Sequence, residues 1–196
     1  MNIKNAVNFI FELNQLKRQR HSGWRLAGVN NPHSIADHTL RVAQIGYILA
    51  IMEKNPNAEK IVTILVIHEN GEARIGDQTK IASRYFSKKE PEKNAFADQI
   101  KDLDDNLSKK WLKYFDEFEE RTTPEGVIAK DADWMETAFQ AKEYLDLGYE
   151  SAIDWINNVE KALETDSAKK LLAEMKETKF TDWWKDLKKM TYTKLK

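Results

Sequence analysis

Apolar residues recur along this chain at helical spacing almost throughout. Over residues 3–17, Val7, Ile10, Phe11, Leu13 and Leu16 fall mostly on one stripe, which predicts a first amphipathic helix. The stretch "RQRHSGWRLAGVNNPH" then breaks the pattern with Gly23, Gly28, paired asparagines and Pro32. It reads as a long loop, and long loops inside a domain often carry function. Ser34 followed by Asp37 has the form of a capping box, so a second helix should start there, run through "HTLRVAQIGYILAIMEK" and stop near "NPNA".

The next segment, "AEKIVTILVIHEN", is almost continuously apolar from Ile61 to Ile67. Its β-branched content would also suit a strand, but its length and helical neighbours favour a buried third helix. Further on, the spacing predicts a short helix over 79–86, a charged break at "SKKEPEK" and one long helix over 92–119. Thr123 as N-cap with Pro124 at the first helical position opens another helix, which should end at a Gly148 C-cap. Helices around 150–163, 166–176 and 180–190 complete the chain. No repeat or linker interrupts this order, so the fold class is all-α, one helical domain over residues 1–196.

Composition narrows the chemistry. The formal net charge is −1, which supplies no global field for nucleic acid or a membrane surface. No apolar run approaches the roughly 20 residues of a membrane span, and the N-terminal stretch lacks a small-residue cleavage site. These features read as a soluble, cytoplasmic protein. With 0 cysteines there are neither disulfides nor thiolate ligands, so any transition metal must be held by His, Asp and Glu.

The stretch "VIHENGEARIGD" crowds His68, Glu69, Glu72 and Asp77 into twelve residues of a chain that has 4 histidines. A histidine at the end of a buried helix is more often a satisfied core residue than a ligand. Convergence changes that balance. His38 lies in the first turn of the second helix and His68 in the last turn of the third, so antiparallel packing would bring the two imidazoles together. Glu69 follows about 100° further round a helix, so sharing one ion with His68 requires a tilted or deformed helix end, which Gly71 would permit. Asp131 and Asp133 point to nearly opposite sides of their helix, so at most one joins such a site. Acidic residues on a core-facing stripe need a partner, and a divalent cation is one. A zinc-peptidase reading of "HENGE" fails because HExxH needs a second His where this chain has Glu72.

The blocks "NPHSIADHTLRVAQIG", "LVIHENGEARIGD" and "KDADWMETAFQAKEYLDLG" resemble, in that order, those of the HD-domain metal-dependent phosphohydrolases. The resemblance is closest to the 5′-deoxynucleotidase branch, several of whose members also carry a Gly-Trp element like "SGWRLAG". It covers about residues 5–150, with the helices of 150–196 adding little, and it implies an HD-type helical bundle. Carried over by position, it implies one divalent metal (Mn, Co, Ni, Zn or Mg) on His38, His68, Glu69 and Asp133. Glu72 and Asp77 then serve positioning and proton transfer. The substrate would be a small-molecule nucleoside monophosphate, met by Trp24, Arg25, Arg20 and His21, with Trp24 either against the sugar or merely anchoring its loop. The other five tryptophans read as core. A homodimer is implied as well. Glu69 departs from the Asp of the family, moving its carboxylate outward by roughly 1.5 Å, one bond length. That departure keeps open a non-catalytic nucleotide- or metal-binding module, and the motifs also allow another phosphoester.

Overall fold

Ser34 shows how the sequence sets the architecture. In the computed structural model, which describes residues 2–187, its hydroxyl accepts from the Asp37 amide while the Asp37 carboxylate accepts from the Ser34 amide at 2.8 Å. This reciprocal cap starts helix α2, Ile35–Met52, where the sequence predicts it. Helix α3, Ala58–Ile67, resolves the helix-or-strand ambiguity in favour of helix, and no strand occurs among the described residues. Helix α7, Pro124–Asp146, begins with Thr123 as N-cap and Pro124 in its first turn. It is followed by Gly148 at φ 100°, a left-handed position that glycine fills without strain.

α2, α3 and α7 form the central layer, with α2 antiparallel to α3. Gly46 lets α2 and α3 approach closely, because a Cβ there would lie 2.1 Å from Leu65 Cδ1. α7 offers Ala129, Ala132, Ala138 and Ala141 to the same interior, all fully buried. Helix α1, Ile3–Leu13, packs by Phe9 into a second cluster with Ile67, Phe96, Ile100 and Phe115. Here the predicted stripe is corrected. Val7, Ile10 and Phe11 face outward, the last 73% exposed, and the helix gives way to a 3-10 turn over Asn14–Lys17.

Further differences have local causes. The short helix α4, Glu72–Ile75, follows the end of α3, and Gly71 between them is right-handed at φ −57°. Its lack of a side chain matters for space, not for backbone freedom. A Cβ there would meet the Glu92 carbonyl oxygen at 2.6 Å. The single helix predicted over 92–119 is two, α5 over Lys89–Ile100 and α6 over Asp105–Glu120. Asp104 interrupts them by accepting from the amides of Asn106 and Leu107, both at 3.1 Å. The segment predicted as a helix over 79–86 forms only a 3-10 turn at Ala82–Arg84. After α8, Ile153–Ala162, and α9, Asp166–Glu177, only a 3-10 turn at Asp182–Trp184 appears of the helix predicted over 180–190. The rest of that segment lies outside the described residues.

Candidate metal centre and substrate cavity

The antiparallel α2–α3 pair delivers His38 and His68 to one end of the bundle, with ring centroids 5.6 Å apart. Both are almost fully buried. His68 Nδ1 lies 2.6 Å from the Leu65 carbonyl oxygen, an acceptor that fixes the proton on Nδ1 and leaves Nε2 bare. His38 Nδ1 is tied in the same sense to Glu136 Oε2 at 2.5 Å. The His38 and His68 Nε2 atoms, and Glu69 Oε2, have no hydrogen-bond partner although they are buried. One ligand atom each of His38, His68, Glu69 and Asp133 lies within 4.8 Å of the others. Four such N and O donors, each imidazole presenting a free nitrogen, fit a divalent cation.

α3 stops at Ile67, and residues 68–71 turn before α4, so His68 and Glu69 sit in a break between two helices. The two aspartates separate as their spacing predicts. Asp133 joins the imidazoles, 3.2 Å from His38 Nε2, while Asp131 accepts from the Glu164 and Thr165 amides and caps the α8–α9 junction. Burial raises the carboxyls here, but neighbouring positive charge overrides it. Glu69 falls to about 2 beside His68, Lys88 and His38. Asp133 is likewise held well below its ordinary range, chiefly by Lys130 and the two imidazoles. For His38, the carboxylates of Glu136 and Asp133 outweigh burial and raise it well above its ordinary value, which favours a second proton at Nε2 that a cation would have to displace there.

Two acids flank the centre in different states. Asp77 accepts from the Ser22 amide at 2.6 Å and hydroxyl at 3.0 Å, with His21 Nδ1 3.6 Å away. Against the upward push of burial, these contacts carry it down to about 2. Glu72 is buried against Glu69 and Glu92, and burial with the Glu69 charge raises it well above the ordinary range despite the Lys88 ammonium. The two acids thus sit in opposite electrostatic surroundings.

A cavity of about 310 Å³ opens beside the centre, lined by Asp133, Asp77, His21, Trp24, Lys80 and Trp155 among others. The long loop reaches it because its ends are stapled. Arg20 and Ser34 form an antiparallel bridge, and the His21 amide donates to the His33 carbonyl at 3.2 Å. This places the His21 ring 4.7 Å from both His33 and His38. Trp24 is 4% exposed and stacks on Trp155 at 5.1 Å, so it both anchors the loop and walls the cavity. Arg20 and Arg25 are exposed and do not line this cavity.

Several participants escaped the sequence reading. Glu136 lies one turn beyond Asp133, a spacing that could have flagged it, but its partners His38 and Arg41 are 98 and 95 residues away. Lys88 sat in what reads as a solvated charge run. The tryptophans are not all core, since Trp134 and Trp155 line the cavity and Trp183 is 78% exposed. Through Trp155, Asn158 and Val159, α8 contributes a wall that the sequence reading did not give to the C-terminal helices.

An all-α bundle with paired helix-borne imidazoles and interior carboxylates defines a class. The HD domain family matches residues 13–176, and the chain belongs to that family. Among its relatives, the 5′-deoxynucleotidase HDDC2 of Dictyostelium discoideum is 31% identical over 151 residues, covering 72% of this chain and 78% of its own. HDDC2 of Danio rerio is 29% identical, over 73% of this chain and 71% of its own. A conserved hypothetical protein from Pyrococcus furiosus superposes with a TM-score of 0.73 at 32% identity, covering 88% of this chain and 99% of that one.

Proposed function

We infer that this protein is a metal-dependent 5′-deoxynucleotidase, cleaving deoxynucleoside monophosphates to deoxynucleosides and phosphate. The observation that carries the reading is the pair of buried Nε2 atoms, each freed by a bond at Nδ1, converging with Glu69 and Asp133. The relatives named as 5′-deoxynucleotidases support the substrate class. His38, His68, Glu69 and Asp133 hold one divalent ion, of the Mn, Co, Ni, Zn or Mg group. When bound, such an ion lowers the pKa of water and neutralises phosphate charge.

The chain's own residues do the rest. Attack and departure at phosphorus must lie in line, which asks for positioning above all. Asp77, held ionised by Ser22, fixes His21 at the cavity wall, where His21 meets the phosphate. Of the two acids Glu72 and Asp77, Glu72 carries the proton, because burial and the Glu69 charge hold it above its ordinary range while Asp77 is held below. Trp24 and Trp155 form the apolar wall for sugar and base. The exposed Arg20 and Arg25 steer the anion from outside the cavity.

Phosphate release from a panel of deoxy- and ribonucleoside monophosphates, on metal-stripped protein refilled with each ion, tests this reading. Metal-dependent release favouring deoxynucleotides and abolished by His68→Ala is the expected result. A folded protein that releases no phosphate with any ion refutes it.

We also propose a homodimer. Ile3, Val7, Ile10 and Phe11 on α1, and Leu40, Tyr47, Ile48, Ile51 and Met52 on α2, leave two exposed apolar stripes. Exposed apolar stripes of this kind are the surface that a second copy would cover.

A further inference from the structure

A phosphate monoester at neutral pH carries nearly two negative charges, and the cavity it would enter is lined by three carboxylates, Asp77, Asp133 and Glu136. Each of these already has its partners. Asp77 accepts from the Ser22 amide and lies 3.6 Å from His21. Asp133 is in ion-pair range of His38, His68 and Lys130, and Glu136 holds His38 and Arg41. An anion arriving here needs positive charge that is not already committed. An ion on the candidate centre supplies part of it when bound.

Among the described residues that line the cavity, Lys80 is the only lysine or arginine. It is exposed, and its ammonium makes no ion pair with a described residue. The backbone beneath it is held on both sides. Upstream, the Ser22 amide and hydroxyl tie Asp77 to the 22–27 turn at 2.6 and 3.0 Å. Downstream, the Thr79 carbonyl accepts from the Ala82 amide at 2.9 Å, and the Ser83 hydroxyl donates to the Lys80 carbonyl at 2.6 Å. A lysine with a fixed root and an uncommitted ammonium at a cavity wall is set to meet a ligand. The same segment leaves a second polar group open, since Gln78 lines the cavity with its Oε1 buried and unpartnered.

We propose that Lys80 binds the substrate phosphate, its ammonium pairing with the 5′-phosphate while Trp24 and Trp155 face the sugar and base. This rests on the nucleotidase reading. Charge selects the partner, because of the three parts of a nucleoside monophosphate only the phosphate is anionic. Arg20 and Arg25 lie outside the cavity and act on the approach, so Lys80 is the side-chain cation that stays with the bound substrate. Its contact is made alike in the ground and transition states, so it contributes to KM and not to kcat.

Steady-state hydrolysis of a deoxynucleoside monophosphate by the full chain, loaded with its best-supporting ion, tests this in Lys80→Met, Lys80→Arg and Lys80→Glu. Inhibition by inorganic phosphate and by the matching deoxynucleoside is measured on the same proteins. Lys80→Met should raise KM on the order of 10-fold, the lower end of what a charge-assisted hydrogen bond is worth, because solvent reaches the site. Its kcat, bound metal per chain and melting temperature should stay near those of the unaltered protein. The inhibition constant for phosphate should rise with KM, while that for the deoxynucleoside holds still. Lys80→Arg, which keeps the charge, should stay near the unaltered KM, and Lys80→Glu should exceed the methionine variant. An unchanged KM in Lys80→Met and Lys80→Glu overturns the role of Lys80 alone. So does a kcat loss at constant KM, a loss of bound metal, or a rise in the deoxynucleoside constant with the phosphate constant unmoved. Absence of turnover in the unaltered protein refutes the function and the role with it, a result distinct from an active enzyme indifferent to the loss of Lys80.

Discussion

Replacing Glu136 by glutamine tests the candidate metal centre through a residue that is not itself a candidate ligand. Glu136 Oε1 receives two bonds from Arg41, from Nε at 2.9 Å and Nη2 at 2.6 Å, while Oε2 faces His38 Nδ1 at 2.5 Å. Arg41 has only donors to offer, so the oxygen of the introduced amide must take the Oε1 place and its NH2 the Oε2 place. That amide then donates to His38 Nδ1 and forces the imidazole proton onto Nε2, the nitrogen aimed at the metal. The alternative rotamer sets NH2 against the guanidinium, which costs a buried charge-assisted pair. Either outcome weakens ligation, and outer partners of ligating histidines are worth about 10- to 100-fold in metal affinity. At 1.4 kcal/mol per tenfold, the loss is roughly 1.4–2.8 kcal/mol. Competition of the variant and the unaltered protein against a chelating dye for Co(II) measures it, and the visible spectrum of bound cobalt reports the donor set. A folded Glu136→Gln protein with cobalt affinity within twofold of the unaltered one would refute the argument that Glu136 sets the His38 tautomer.

Other perturbations have equally defined signs. Asp77 is held at about 2 against an ordinary 3.8, so the native state binds this proton less readily than the unfolded one. Its contribution, roughly 2 kcal/mol, is complete above pH about 4 and disappears as pH falls toward 2. Denaturant melts of metal-free protein should show that acid loss, and Asp77→Asn should flatten it; equal slopes in both proteins would contradict the Ser22 and His21 contacts. In Gly46→Ala the new methyl meets the fully buried Leu65 side chain, at a cost of about 1–3 kcal/mol. That should lower the melting temperature by roughly 2–12 °C in a chain of this size, and an unchanged melt would mean that α2 and α3 are not so closely packed. Ile10→Asp combined with Ile48→Asp should convert a dimer to a monomer in light scattering with the melting behaviour of the monomer core intact. A dimer persisting in that variant would place the interface elsewhere.

What could be read from the sequence follows the range of the interactions involved. Helix starts depend on a few adjacent residues, so Ser34, Asp37, Thr123, Pro124 and Gly148 announce α2 and both ends of α7 correctly. The break at Asp104 is equally local but lies inside a polar stretch where helical periodicity carries no strong signal. At the site, His38, His68, Glu69 and Asp133 come together because α2 and α3 deliver their ends to one place beside α7, which carries Asp133, and the resemblance supplied their order. Glu136 and Arg41 are different, since each has meaning only through the other and through His38, nearly a hundred residues apart. The outward turn of Val7, Ile10 and Phe11 marks a limit of periodicity itself. A stripe of apolar residues shows that a helix has a face to bury and leaves open whether this chain or a copy of it does the burying.

Gly71 joins these observations. In the sequence it reads as a hinge that frees the end of α3, and its right-handed backbone removes that reason for its presence. What requires glycine is the 2.6 Å approach of the Glu92 carbonyl to where a Cβ would stand. That approach brings α5 onto α4, buries Glu92 from a charge run that is otherwise mostly exposed, and presents the half-buried Lys88 to Glu72. The longer Glu69 side chain raises the demand for that cation, because it sets a third carboxylate beside Glu72 and Glu92 while also meeting the imidazoles. Glu69 in the candidate metal centre and the lysine one helix away thus belong to a single electrostatic arrangement, in which shortening Glu69 or neutralising Lys88 each disturbs the carboxylate between them.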